Sequence, residues 1–161
     1  MADFVFNIGK GRVTELANRV NVNDATGPAN AVFLVVAIKA TGLEADATLK
    51  DYADLSTLLA AANDEATNTG YARKSLDQTG GIVVTTDQTN DRVDVDMPDQ
   101  TWTGVAAAGG AWGKILICWD PDSTAGTDST VVPLTGHDFA VTPDGTDILL
   151  QVAAAGFFRA A

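Results

Sequence analysis

Apolar and polar positions change period several times along the 161-residue chain, and each change predicts an element. Phe4, Val5, Phe6 and Ile8 are apolar with strong strand preference, which predicts a strand over the first seven or so residues. Gly9 and Gly11 break that pattern, and Val13, Leu16, Ala17 and Val20 then recur at the spacing of one helical face. A short amphipathic helix is therefore expected over about residues 10–21, followed by an Asn/Asp/Gly/Pro loop to residue 30. Residues 31–39 are continuously apolar apart from the final Lys39 and rich in β-branched side chains, as in a central strand covered on both faces. A second helix is expected over residues 48–63, with Thr48 and Asp51 as a capping pair and Leu49, Tyr52, Leu55, Leu59 and Ala62 on one face.

Beyond residue 70 the pattern is that of strands, expected near 71–76, 82–86, 91–97, 114–119, 130–133, 137–142 and 147–153. Alternation is clearest at 92–97, where Val93, Val95 and Met97 point one way and Asp94 and Asp96 the other. Pro98 confines that strand to an edge or marks its end. Pro143-Asp144-Gly145 reads as a hairpin turn, and the small residues of 105–113 as a mobile loop. The expected fold class is α+β: a mostly antiparallel β sheet or sandwich with one or two short helices in the N-terminal half. The expected organisation is one domain over 1–161, with an N-terminal arm at 1–9 and a C-terminal tail at 154–161.

Composition narrows what such a fold can do. The apolar share of 46% is enough for a packed core, so intrinsic disorder is excluded on composition. The net charge of −11 repels phosphate backbones, and no Lys/Arg stripe interrupts it, so nucleic acid is not an expected partner. The start Met-Ala-Asp-Phe-Val-Phe-Asn has neither the basic region nor the apolar core of a signal peptide. No apolar run approaches the roughly 20 residues that span a bilayer. Synthesis and folding in a cytoplasm, without membrane insertion, are expected.

Residues that could carry chemistry fall into few groups. Asp94 and Asp96 project from one strand face, between Asp91 and Asp99, and could serve as an acid/base pair or bind a hard cation. Solvated charge that resists edge pairing is the simpler use of such a face. Asp120, Asp122 and Asp128 lie in an oxygen-rich loop, but Ala125 occupies the sixth position where a calcium loop needs Gly, and no Glu stands at the twelfth. No metal or other cofactor is therefore expected. Gly9-Lys10-Gly11-Arg12 lacks both the Walker and the dinucleotide patterns. Cys118 is the sole cysteine and sits in the apolar run Ile-Leu-Ile-Cys-Trp, as a buried small hydrophobe would. His137, the sole histidine, has no Gly-x-Ser-x-Gly elbow near it; an enzyme would need it to meet Cys118 or the aspartates in a cleft. No catalytic residues are assigned. Phe4, Phe6 and Ile8 at one end, and Phe157, Phe158 and Arg159 at the other, are candidate interface residues, because adjacent aromatics are costly to leave in water.

Several whole segments resemble a family of small proteins from tailed phages of actinobacteria. They are Asp3-Phe-Val-Phe-Asn-Ile-Gly-Lys-Gly-Arg12, Gly42-Leu-Glu-Ala-Asp-Ala-Thr-Leu-Lys-Asp-Tyr52, Asp94-Val-Asp-Met-Pro-Asp-Gln-Thr-Trp102, Pro133-Leu-Thr-Gly-His-Asp-Phe139 and the tail Ala-Ala-Ala-Gly-Phe-Phe-Arg-Ala. The resemblance implies a virion structural protein, a minor capsid or head-decoration component assembled in the host cytoplasm. The implied partners are the major capsid protein, other virion subunits and further copies of the chain. It brings no catalytic residues. A tail-tube or tail-tip component is the nearest alternative. A host-carbohydrate-binding module is another, and would present an exposed Trp102 or Trp112.

Overall fold

The computed structural model describes residues 3–22 and 30–161. In chain order the elements are β1 (Phe4–Val5), α1 (Val13–Asn21), β2 (Val32–Lys39), α2 (Asp46–Leu49), α3 (Leu55–Ala60), β3 (Lys74–Leu76), β4 (Val83–Asp87), β5 (Arg92–Asp96), β6 (Gln100–Trp102), β7 (Trp112–Asp120), β8 (Val132–Val141), β9 (Ile148–Leu150) and β10 (Phe158–Ala160), with one 3-10 turn at Gln78–Gly80. The fold is α+β, mostly antiparallel sheet with short helices in the N-terminal half. No helix among the described residues is long and apolar enough to cross a membrane.

A five-stranded antiparallel sheet in the order β1-β8-β7-β2-β3 forms the middle layer. Residues 32–38 of β2 are all buried, as the unbroken apolar run requires of a strand covered twice. Phe33, Val35 and Ala37, with Ile115 and Ile117 of β7, share a cluster with Val13, Leu16, Ala17 and Val20 of α1, with Val95 and Trp102 of the smaller sheets, and with Met97 just after β5. The alternate residues Val32, Leu34, Val36 and Ile38, with Leu116 and Cys118, pack against Leu49, Leu55 and Leu58. The molecule thus has three layers: α2 and α3, the central sheet, then α1 with a three-stranded sheet β10-β5-β4 and the pair β6-β9.

Several expected elements differ from those observed. The single helix expected at 48–63 is two, because Asp54 rather than Thr48 caps a helix: its carboxylate accepts from Thr57 N at 2.8 Å. The first-turn amides of Leu55 and Ser56 donate to the carbonyls of Val131 and Asp128. The break at 50–54 lets both Leu49 and Leu55 bury completely. The strands expected at 130–133 and 137–142 are one, β8, and Pro133 falls where the β7/β8 register shifts, so its missing N–H is accommodated. Asp144 accepts from the amide and hydroxyl of Thr146, which makes a turn but no hairpin: β9 pairs with β6, not with β8. β5 is the middle strand of its sheet, so Pro98 follows its end rather than marking an edge. β6 and β10 were not expected. The 105–113 segment is tied down: Asn68 Nδ2 donates to the Ala106 and Gly110 carbonyls, and Asn68 Oδ1 accepts from Trp112 Nε1.

Candidate functional site

Both terminal stretches lie on the body as strands. β1 pairs with Thr135–Gly136, and β10 pairs with Val93–Val95 of β5. Phe4 is half-buried and its ring lies 5.0 Å from that of Phe6. Phe6 is fully enclosed in the core, so it has no surface to offer another subunit, contrary to expectation. Ile8, Phe157 and Phe158 are half-buried and Arg159 is exposed.

The two ends converge on His137. Its Nδ1 faces Asp3 Oδ2 at 3.2 Å, its Nε2 is 2.9 Å from Thr135 Oγ1, and its ring meets Phe157 edge-on at 6.3 Å. Phe157 in turn packs edge-on against Phe33 at 6.1 Å. Between β8 and the segment after β9 lies an open cleft of about 450 Å³, lined among others by Asp3, Ile115, His137, Phe139, Leu149 and Phe157. Its walls are mainly apolar, with Asp3, Asp138 and His137 among the lining residues. Of the six expected contact residues, Phe157 lines this cleft, while Phe4, Phe6, Ile8, Phe158 and Arg159 do not.

Each candidate aspartate is held by hydrogen bonds from within the chain. Asp94 accepts from Arg159 Nε at 2.6 Å and lies 3.2 Å from Arg92 Nε; the Arg159 hydrogen bond holds its carboxyl below the usual range. Asp96 accepts from the amide of Met97. Asp120 is buried and accepts from the Asp122 amide, while Asp122 accepts from Thr124 and Ala125; the Thr124 hydroxyl holds the Asp122 carboxyl low. These are Asx-type turns. Gly126 completes the loop, since a Cβ there would stand 2.4 Å from the Asp122 carbonyl oxygen. Asp128 receives two hydrogen bonds from Arg73, which also grips Glu65. Among the described residues, no three or more His, Cys, Asp or Glu side chains gather as a metal site would.

Cys118 and His137 do not meet. Cys118 packs with Leu49, Leu55 and Leu58 on the helical side of the central sheet, and burial pushes its thiol far above the ordinary value. His137 lies directly across from Ile115 and opens onto the cleft on the other side. Trp102 and Trp112 are both buried, at 1% and 0% exposure, and pack edge-to-face at 5.2 Å, so neither presents the exposed face that a sugar-stacking site needs.

Sequence reasoning passed over two charged groups. Lys114 is fully buried in β7, with its ammonium against Asp138 and 3.0 Å from Asp46 Oδ1. Arg73 spans Glu65 and Asp128. The Lys114 signal was present: a charge in the run Trp-Gly-Lys-Ile-Leu-Ile-Cys-Trp, in step with Leu116 and Cys118, must point into the covered face. No protein-family model, curated protein or solved structure matches the chain.

Proposed function

We propose that the chain is a structural component of a tailed-phage particle, a minor capsid or head-decoration protein that binds the capsid shell. The supporting observation is where the phage-like segments sit. Residues 3–12 pair with 133–139 through β1 and β8. Residues 3–12 also reach 42–52, where the amide of Asn7 donates to the Lys50 carbonyl. Residues 94–102 pair with the tail through β5 and β10. The segments that resemble that family are therefore one another's neighbours, as parts of a shared framework would be, rather than short likenesses scattered over the surface.

The surface chemistry agrees with such a role. A charge of −11 keeps the body soluble and suits docking on a basic surface. The cleft where both ends meet His137 offers a mainly apolar contact bounded by Asp3. The contact partner in this reading is the major capsid protein, with further copies of the chain alongside.

The test is co-sedimentation of the purified chain with phage heads that lack it. The intact protein is expected to pellet with the heads to saturation. A chain lacking residues 157–161, shown to be folded by its thermal melt, is expected to bind more weakly. An intact chain left wholly in the supernatant would contradict the proposal.

A further inference from the structure

Lys114 is enclosed in a way that an ion pair alone does not require. Its side chain has no exposure, while its two carboxylate partners are a quarter and about a third exposed, at 25% for Asp46 and 31% for Asp138. Asp138 lies directly opposite Lys114 in the β7/β8 ladder and accepts a hydrogen bond from Nζ. The Phe4 ring lies over the ammonium, 5.3 Å from Nζ to its centroid. On the remaining side is Asp46 Oδ1, 3.0 Å from Nζ. That oxygen is buried and has no donor aligned on it. A buried carboxylate oxygen without an aligned hydrogen bond is costly, and the adjacent ammonium offsets that cost by charge alone.

We infer that Lys114 and Asp46 form an intramolecular isopeptide bond, with Asp138 as the general base. The arrangement supplies the three parts that reaction needs: an amine sealed from bulk water, a carboxyl group in contact with it, and a second carboxylate hydrogen-bonded to the amine. The step begins when the Lys114 ammonium passes a proton to Asp46 Oδ1, leaving a neutral amine beside a neutral acid. The Nζ lone pair attacks Asp46 Cγ, and Asp138 takes a proton from the nitrogen. Asp138 returns that proton to the departing hydroxyl, the C–O bond breaks, and water leaves. The products are an amide and one water, with Asp138 again ionised, so protons and charge balance without a further reactant. The two neighbouring carboxylates favour the charged form of Lys114, whose burial opposes it, so the reactive form is a minor one. A bond made once per molecule needs only a small reactive population, because each event is retained.

The bond would join β7 of the central sheet to α2 in the layer above it, through the fully buried face. A covalent tie there suits a protein that holds its shape under load, but the inference does not depend on the proposed virion role.

Intact-mass measurement of the purified chain tests it directly. The folded protein is expected to weigh about 18 Da less than its sequence requires, the mass of one water. Proteolysis should release one branched peptide joining the segments around Asp46 and Lys114. K114R, which keeps the positive charge, and D46A should both have their full sequence mass. D46N should lose ammonia instead, about 17 Da. Folded wild-type protein at full mass would overturn the inference. So would a mass deficit that persists in K114R, or a branch point mapped to Asp138.

Discussion

Arg73 and Asp128 are 55 residues apart, yet two hydrogen bonds join them and Glu65 grips the same guanidinium. Nothing in either segment's local pattern names the other. Asp94 and Asp96 were legible as a pair on one strand face, but their distant partner, Arg159, was not, because β10 was not foreseen. These pairings set an acid limit on stability. Hydrogen bonding from Arg73 holds the Asp128 carboxyl low, and hydrogen bonding from Arg159 does the same for Asp94. Both carboxyls bind protons less readily in the folded chain than in the unfolded one. Their contribution is therefore complete above the unfolded value of about 3.9 and is lost as pH falls through the lower folded values. The thermal midpoint should stay nearly level from about pH 7 to about pH 5 and drop below about pH 4. Calorimetry across that range checks it, and a midpoint unchanged at about pH 2 would count against these pairings.

At the scale of elements, the strongest periodicities were the most reliable guides. The α1 stripe of Val13, Leu16, Ala17 and Val20 is buried as its spacing requires, and β2 is covered on both faces. Local pattern failed where tertiary partners supplied backbone hydrogen bonds. The α2–α3 break depends on the carbonyls of Asp128 and Val131, far along the chain, and the missing β8–β9 hairpin on β6 taking β9 as its partner. The tail shows a further dependence. Gly156 has φ +82°, and a Cβ there would stand 2.2 Å from the Val95 carbonyl oxygen, the atom that accepts the Phe157 amide. Gly156→Ala should therefore lift β10 from β5, with a loss of about 1–3 kcal/mol in stability. Amide exchange over Phe157–Ala160 should accelerate by about tenfold or more, while β2 and β7 remain protected. Unchanged exchange in the tail would show that its seat does not depend on this glycine.

For the whole molecule, the two termini, the cleft at His137 and the acidic surface belong to one body built around the central sheet. The fold class and the central strand were readable from the chain. The cleft was not, because it forms where Asp3, ahead of β1, and Phe157, ahead of β10, come up to His137 of β8, which no local pattern encodes. The functional reading depends on the chain presenting this surface to other subunits of a particle. Cryo-microscopy of purified particles from a phage that encodes the chain tests that most directly. The account predicts repeated density on the head that fits the three-layered body, with the His137 cleft turned toward a neighbouring subunit. Particles whose every density is explained by other polypeptides, with this one absent from their protein content, would contradict it.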